Sequence, residues 1–264
     1  MNDNKYSVFV ILSEPRTGSN MLTSKFSSVP DVVCHAEIFH PDAIYIKLPK
    51  DTIPNIGERD SNPESFITKI LDKTYEYHQH PNIIGFKIFF DHNPAAMSYV
   101  YRNKIPVILL ERKNKVAQYS SLKIAKNTDQ WTSVQQAKNK VAGSSRKVRF
   151  SLIEYIAFTL RSRARFIFAM HKLKKESIPF IHVYYEGLVK GTGADQISSF
   201  IGADIASIEA DVGYQKQNPG ELSSRFKNPR YFAFWCRLLA STPIIGRLLS
   251  MQRVMLDNRK VSNT

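Results

Sequence analysis

Four short apolar runs constrain the fold of this chain more than any other feature of its sequence. They are Tyr6–Leu12, Ile83–Phe90, Ile105–Leu110 and Pro179–Tyr185, each rich in β-branched or aromatic residues. Hydrophobic residues follow one another without alternating with polar ones, which is typical of strands buried on both faces of a sheet. Val32–His35 is a candidate for one further short strand. The runs therefore predict a sheet that is covered by helices on both sides.

Helical patterns lie between and after these runs. They cover Ser19–Ser28, Pro63–His78 and Lys115–Lys126, with a long one near Ser151–Glu176. The stretch Thr192–Ile208 has room for one more helix. Strands that alternate with helices predict an α/β fold with a parallel sheet. We expect a P-loop-like, doubly wound parallel sheet flanked by helices, in a single domain over residues 1–230. Residues 231–264 are expected to form a C-terminal amphipathic helical appendage.

Charge and cysteine content narrow the class of protein. The 264 residues include 37 Lys+Arg against 23 Asp+Glu, and the resulting net charge of +14 suits acidic partners. Cys34 and Cys236 form no CxxC pair, which argues against a disulfide scaffold and a cysteine-rich zinc module and fits a reducing compartment. The first residues predict a buried strand and no signal peptide, and no run has the length of a membrane span. We expect a cytoplasmic protein.

The segment Ser13–Asn20, directly after the first predicted strand, has the composition of an anion cradle. Gly18 lets the backbone turn tightly, and the N–H groups of Thr17 to Met21 would then point towards one spot at the start of a helix. Arg16 adds a full positive charge. An ordinary strand-to-helix turn with a serine cap would use the same residue types. A Walker A loop does not fit, because Ser19 follows Gly18 where that motif requires lysine.

This loop resembles the 5′-phosphosulfate loop of sulfotransferases that use 3′-phosphoadenosine 5′-phosphosulfate (PAPS), whose usual form is P-[KR]-[ST]-G-[ST]-[ST/N]. Residues 15–20 read Pro-Arg-Thr-Gly-Ser-Asn and match it at every position. With Met21-Leu22-Thr23, which follow it, the loop is most similar to the bacterial branch that includes trehalose, lipopolysaccharide and nodulation-factor sulfotransferases. The resemblance implies that Arg16, Thr17, Gly18, Ser19 and Asn20 bind PAPS.

A second motif of the same family is a buried strand that ends in arginine, with a serine eight residues later. Arg112 and Ser120 follow this pattern, and the resemblance implies that they bind the 3′-phosphate. Arginine at the end of a strand lies where α/β folds bind ligands, and its planar fork suits phosphate. A late pattern at 222–228 adds Arg225 and Asn228 to the implied nucleotide contacts. In all, the resemblance covers roughly residues 6–230.

The resemblance also implies catalytic residues and an acceptor. The segment 34–39, Cys-His-Ala-Glu-Ile-Phe, is similar to a family segment whose glutamate is the proposed base, so Glu37 is the first candidate. His92 is the second, with His35 and His40 after it. Arg16 of the loop and Lys87 are the candidate contacts to the leaving phosphate. Lys87 lies inside an apolar run, where a charge must be paired or reach a cleft, and a strand-edge lysine that extends to water is the alternative. The implied acceptor is a sugar or glycolipid, and no metal is required.

Other functions fit less well. The net charge alone would also suit a non-catalytic nucleic-acid-binding protein, but the basic stretches lack the interleaved aromatic residues of single-strand binders. A P-loop kinase-like phosphotransferase would need the missing Walker lysine. His35-Ala36-Glu37 matches half of a zinc deaminase signature, but the P-C-x-x-C half is absent from the sequence. Trp131 suits either sugar stacking or a place in the core.

The segment 229–253 combines aromatic and aliphatic residues with arginines and contains no acidic residue. Two interpretations remain open. The segment packs onto the domain or onto a second copy of the chain, as in a homodimer, or it lies at an anionic membrane surface. Arg237, Pro243 and Arg247 exclude a bilayer-spanning helix. The second interpretation would make the protein membrane-peripheral.

Overall fold

The computed structural model describes residues 5–131, 147–206 and 221–241. The chain divides into two compact units. The first, here called the sheet unit, comprises Met1–Glu111 and Phe166–Asp211; the second, the helical unit, comprises Arg112–Arg165 and Val212–Thr264. The predicted domain border at residue 230 stays a prediction. Residues 132–146, 207–220 and 242–264 lie outside the described residues, and with them most of the expected C-terminal appendage 231–264.

Five strands of the sheet unit form one parallel sheet with the order β2-β3-β1-β4-β5. Their bounds are β1 (Ser7–Ser13), β2 (Val32–Glu37), β3 (Ile83–Phe89), β4 (Val107–Glu111) and β5 (Phe180–Tyr184). The predicted α/β fold with a doubly wound parallel sheet is confirmed. The short candidate strand at Val32–His35 is present and continues to Glu37.

The central strand positions the candidate phosphate loop. β1 pairs with β3 on one side and β4 on the other, and the chain crosses from one half of the sheet to the other between β3 and β4. In open α/β sheets, ligands bind at the carboxyl ends of the strands where the connections leave in opposite directions. The loop that follows Ser13 lies at this place in the topology.

Both faces of the central strands are covered, as their apolar runs predicted. The same prediction is wrong for β5, which is half-buried at four of its five positions because it is the last strand in the sheet order. Along β1, Val10 and Leu12 belong to one buried cluster, whereas Phe9 and Ile11 belong to another. Successive side chains of a strand point to opposite faces, so the two clusters are the cores of the two layers. Cys34 is buried in the cluster that contains Phe9.

Helices connect the strands of the sheet unit. They are α1 (Ser19–Phe26), α2 (Ile56–Ser61), α3 (Pro63–Tyr77) and α4 (Pro94–Arg102), and, after β5, α7 (Tyr185–Val189) and α8 (Thr192–Ile201); a short 3-10 turn covers Lys50–Thr52. The helix expected within Thr192–Ile208 is α8, which ends where Gly202 takes the left-handed conformation with φ 75°. Sequence patterns gave no prediction for α2 and α4.

The helical unit has its own core. It contains α5 (Lys115–Thr128), a 3-10 turn (Ser223–Arg225) and α9 (Pro229–Ala240). The helix α6 (Leu152–Lys175) is shared: its residues up to Arg165 belong to this unit and the rest to the sheet unit. Aromatic residues dominate the core, which includes Tyr155, Phe226, Phe232 and Cys236. The inner side of α9 therefore packs inside this unit.

None of the helices within residues 5–131, 147–206 and 221–241 combines the length and the apolar character that crossing a bilayer requires.

Candidate active site

The loop between β1 and α1 is held in an unusual conformation by its own contacts. Arg16 and Gly18 both have positive φ values, 66° and 86°. The hydroxyl of buried Thr17 donates to the carbonyl of Glu14 at 2.8 Å. Left-handed residues turn a short loop back on itself, so that backbone N–H groups at the start of the next helix face outwards together. The side chain of Thr17 thus shapes the loop, and the half-buried side chain of Arg16 supplies its charge.

The start of α1 has the properties of an anion-binding end. Gly18 is the N-cap, and within the described chain no side chain makes a capping hydrogen bond there. The first turn carries no acidic residue. The N–H groups of Ser19, Asn20 and Met21 therefore present the positive end of the helix dipole to a ligand. The buried hydroxyl of Ser13, at the end of β1, has no hydrogen-bond partner among the described residues.

Tyr185 packs directly against the loop. A Cβ atom added to Gly18 would lie 2.2 Å from Cδ2 of Tyr185, far inside contact distance. Glycine is thus required at position 18 for two reasons, the positive φ and the close approach of the ring. Tyr185, at the start of α7, therefore limits the space that is available to the loop.

The carboxyl ends of β2 and β3 bring an ion pair to the same region. Nζ of Lys87 lies 2.9 Å from Oε1 of Glu37 and also donates a hydrogen bond to Oδ1 of Asn20. The side chain of Lys87 is fully buried and that of Glu37 is 17% exposed. Lys87 therefore connects the candidate base to the first turn of α1.

A bulge in β2 creates this ion pair. His35 pairs with Phe86, but the next pair of the ladder is Glu37 with Lys87, so Ala36 is an extra residue in β2. A bulge shifts the following side chain to the other face of the strand. In a regular ladder Glu37 would pair with Ile88, and its carboxylate could not reach the lysine from the same face.

Burial governs the charge of Lys87. Removal from water lowers the pKa of this lysine, and the neighbouring Glu37 carboxylate acts in the opposite direction. A buried cation is tolerated only when such partners are present. Nζ of Lys87 also lies 5.2 Å from the centre of the Phe89 ring.

The three histidines near Glu37 share one hydrogen-bonding pattern. Nδ1 of His35 accepts from the N–H of Lys47, Nδ1 of His40 from Asp42 and Nδ1 of His92 from Phe89, at 3.1–3.2 Å. In a neutral ring this assigns the proton to Nε2. When neutral, each of the three rings therefore donates a hydrogen bond from Nε2. Its Nδ1 already accepts from the backbone and is not open to the proton of a substrate.

Burial also keeps His35 and His92 neutral. It lowers the pKa of His35 to about 3 and that of His92 to about 4. Nε2 of His35 lies 2.8 Å from the hydroxyl of Thr74, so both ring nitrogens of this histidine are used inside the fold. His35 is a structural residue in this arrangement, and Glu37 is the group that can accept a proton.

The predicted 3′-phosphate residues lie in the helical unit. Nη1 of Arg225 donates to Oγ of Ser120 at 3.3 Å, although the two are 105 residues apart in the chain. Burial, and after it the positive charge of Arg112, lower the pKa of Arg225 to about 10. The guanidinium groups of Arg112 and Arg225 repel each other, and Arg225 binds the buried Ser120. A bound anion would relieve this repulsion.

Asn228 has a different environment from the one expected for a nucleotide contact. Its amide donates to the carbonyl of Phe150 at 2.9 Å and accepts from the N–H of the same residue at 2.8 Å. The side chain thus joins two segments of the helical unit beside Arg225. Its predicted contact with the nucleotide stays a prediction. Trp131 is exposed, and its Nε1 donates to Asp129 at 3.0 Å, so it is not a core residue.

Comparison with known proteins gives few relations. No protein-family profile matches the sequence. No curated protein matches it either. Among solved structures, the crystal structure of mouse sulfotransferase SULT7A1 complexed with PAP is similar over 95% of this chain and 90% of that chain, with 15% identity and a TM-score of 0.46. Similarity at this level assigns neither an activity nor a ligand to this chain.

Two features that shape the surroundings of Glu37, the buried Arg59 and the bulge at Ala36, were not predicted from the sequence. Arg59 is buried and binds the segment that follows Glu37, but it stands in the polar stretch 57–61, where a buried cation leaves no recognisable pattern. The bulge at Ala36 also has no signal in the sequence. In the described part of the chain, no group of three or more His, Cys, Asp or Glu residues is arranged to hold a metal ion.

Proposed function

We propose that the protein is a sulfotransferase that transfers the sulfuryl group of PAPS to a hydroxyl of a carbohydrate or glycolipid. The observation that carries the proposal is the position of Lys87, a buried cation in contact with both Asn20 of α1 and Glu37 of β2. A cation in this position suits the oxygen that bridges phosphorus and sulfur, where negative charge grows during transfer. The adjacent carboxylate suits the proton of the acceptor hydroxyl.

In the proposed reaction the acceptor oxygen forms a bond to sulfur while the bond from sulfur to the bridging phosphate oxygen breaks. The leaving nucleotide, adenosine 3′,5′-bisphosphate (PAP), keeps the electron pair of the broken bond, and the acceptor proton passes to the Glu37 carboxylate. Arg16, the N–H groups of α1 and Lys87 hold the phosphosulfate in line and stabilise the leaving charge. No step requires a metal ion.

The hydrogen bonds of the histidines support Glu37 as the base. His92 and His40 carry the proton at Nε2 when neutral, because Nδ1 accepts from the backbone in each ring. They are therefore suited to donate hydrogen bonds to the sulfuryl oxygens or to the acceptor. Glu37 is a partly exposed carboxylate and can accept the proton.

Arg112, Ser120 and Arg225 form the proposed 3′-phosphate site. A phosphate dianion accepts several charge-assisted hydrogen bonds at once, and two guanidinium forks provide them with defined geometry. The lowered pKa of Arg225, about 10, still leaves this side chain charged at neutral pH. The site would thus distinguish PAPS from nucleotides that lack the 3′-phosphate.

Alanine substitutions should separate the two ends of the nucleotide. Arg112→Ala and Arg225→Ala should each weaken PAP binding by about 1.5–3 kcal/mol and leave AMP binding nearly unchanged, because only PAP carries the 3′-phosphate. Arg16→Ala should weaken both nucleotides by a similar amount. Isothermal titration calorimetry with PAP and AMP measures all three effects.

Arg161→Ala is the matched control, since Arg161 is an exposed arginine on α6 and should leave both affinities unchanged. Absence of PAP binding by the unchanged protein would refute the proposed function. Equal losses for PAP and AMP in the Arg112 variant would place the 3′-phosphate elsewhere.

An acceptor attached to a lipid would bring the protein to a membrane, and α9 has a surface suited to this. Its inner side is buried, whereas Tyr231, Phe234 and Leu238 are exposed on its outer side. Arg230 and Arg237 are exposed beside them, and α9 contains no acidic residue. Aromatic residues flanked by arginine suit the boundary between anionic head groups and acyl chains.

Substitutions on the outer side of α9 should reduce membrane binding without unfolding the protein. The double variant Phe234→Ser/Leu238→Ser should sediment roughly tenfold less with vesicles that contain phosphatidylserine, because about 1–2 kcal/mol of apolar contact is lost. Ile153→Ser/Leu160→Ser, on α6, also removes two exposed apolar side chains and should have no effect. The same sedimentation for both variants would exclude α9 as the lipid contact.

A further inference from the structure

The segment that follows Glu37 folds back onto this residue. The backbone N–H groups of His40 and Tyr45 both lie 3.3 Å from the carbonyl oxygen of Glu37 and donate to it. Two hydrogen bonds to one carbonyl close residues 38–45 into a compact loop. The loop therefore holds the backbone of His40 and Tyr45 against the backbone of the proposed base.

A buried arginine holds this loop in place. Nη1 of Arg59 donates to the carbonyls of His40 at 2.6 Å and Ala43 at 3.3 Å. The remaining edge of the guanidinium binds both carboxylate oxygens of Asp60, at 2.7 and 3.0 Å. The side chain of Arg59 is only 2% exposed, whereas that of Asp60 is 48% exposed, so the guanidinium side of these bonds is shielded from water and the carboxylate side is not. The loop is thus preorganised before any ligand binds.

The loop presents an aromatic ring to solvent. The side chain of Tyr45 is 48% exposed, and its ring packs at 80° against the ring of His40, with 5.3 Å between the ring centres. The His40 ring is in turn 6.5 Å from the ring of His92. The Tyr45 ring is held by its contact with His40 while the rest of its surface is exposed. A ring that is already held in this way loses little conformational entropy when a ligand covers it.

The chemistry around Tyr45 fits the ring of a sugar. The C–H groups on one face of a pyranose are apolar and cover an aromatic ring, whereas its hydroxyls need hydrogen-bond partners at the rim. Nε2 of His40 carries a proton when the ring is neutral, because Nδ1 accepts from Asp42, and can donate to such a hydroxyl. The carboxylate of Glu37, the residue whose carbonyl anchors the loop, can accept from another.

We propose that Tyr45 and His40 form the acceptor-binding wall of the active site, on which a sugar ring stacks with one hydroxyl directed to Glu37. This inference rests on the proposed function and specifies it, since it assigns the acceptor class to residues of this chain. Tyr45 is a specificity residue that touches the acceptor, and Arg59 is a positioning residue that acts through the loop.

The test uses the full chain saturated with PAP and measures sugar binding by ligand-observed NMR. The probes are trehalose and the methyl glycosides of glucose, galactose and N-acetylglucosamine. Tyr45→Ala should weaken the sugar that binds best by about tenfold, and Tyr45→Phe should retain its binding because the stacking face remains. His40→Ala should weaken binding by a smaller factor.

Tyr77→Ala is the matched control. Tyr77 is 58% exposed and also packs edge-on against a histidine, His78, with 5.0 Å between the ring centres, but it belongs to the end of α3. This variant should bind the sugar as the unchanged protein does. Equal binding in Tyr45→Ala, an equal loss in Tyr77→Ala, or no binding of any probe sugar would overturn the inference.

PAP titration of the same samples distinguishes failure of the acceptor wall from failure of the proposed function. If PAP binds to every variant with unchanged affinity while sugar binding is insensitive to Tyr45, only the acceptor wall is wrong. If the unchanged protein does not bind PAP, the proposed function itself fails.

Discussion

Replacing Glu37 by glutamine is expected to lower kcat by about 10²–10⁴, the range typical of a lost general base. The amide keeps the shape of the side chain and can still accept a hydrogen bond from Lys87, but it cannot take the acceptor proton. Initial rates with labelled PAPS and the best sugar acceptor give kcat, and PAP titration gives the nucleotide affinity. We expect that affinity to change by much less than kcat.

His92→Asn is the variant that decides between the two candidate bases. The asparagine oxygen can replace Nδ1 as the acceptor of the Phe89 N–H, so the local backbone should be preserved. If Glu37 is the base, this variant should retain at least about a tenth of the rate. Full activity of Glu37→Gln together with an inactive His92→Asn would reverse the assignment.

Unfolding must be measured alongside these rates. Glu37 raises the pKa of Lys87 against the effect of burial, so its loss should lower that pKa further. Lys87 would then lack the charge of its partner inside the protein, which destabilises the fold. Urea titration of Glu37→Gln shows whether the variant is still folded under assay conditions, so that the loss of rate reports chemistry.

Gly18→Ala is expected to have the largest effect on stability, about 2–5 kcal/mol. The left-handed backbone costs about 1–2 kcal/mol for any residue with a Cβ, and displacement of the Tyr185 ring adds about 1–3 kcal/mol. Because the same backbone forms the phosphate loop, PAP binding should weaken as well. Urea unfolding at equilibrium and PAP titration measure the two losses.

Gly191 provides a matched control, because it has the same φ value of 86° while a Cβ there would meet none of the described residues within 4 Å. Gly191→Ala should therefore cost only about 1–2 kcal/mol. Adding Tyr185→Ala to Gly18→Ala should recover the part that comes from the ring. A cost for Gly18→Ala no greater than that for Gly191→Ala would disprove the tight contact with Tyr185.

The fold was predictable because its strands lie between two layers of helices. Continuous apolar runs in β1, β3 and β4 have no solvent-facing side that would interrupt them with polar residues. The helices α2 and α4 were missed because they have only six and nine residues, too few for a clear period. They are set by local capping, in which Asn55 and Asn93 accept hydrogen bonds from backbone N–H groups of the first turn.

The parts of the candidate site that are formed by neighbouring residues in the chain could be predicted. The parts that depend on contacts between distant segments could not. The loop 15–20 can be read from the sequence because its glycine and its helix start are adjacent in the chain. The pairing of Glu37 with Lys87 depends on one extra residue in β2, and a register shift of this kind leaves no pattern. The position of Arg59 depends on carbonyl groups some twenty residues earlier, which no spacing rule describes.

The two cysteines offer a way to follow the two units independently. Cys34 is buried in the core of the sheet unit and Cys236 in that of the helical unit, and burial raises the pKa of each thiol to about 12. At neutral pH almost no thiolate is present, so an alkylating reagent reacts with a cysteine only after the surrounding core opens. Mass spectrometry of the intact chain and its peptides gives the alkylation rate at each cysteine. These two rates give a separate opening free energy for each unit, and no further cysteine has to be introduced.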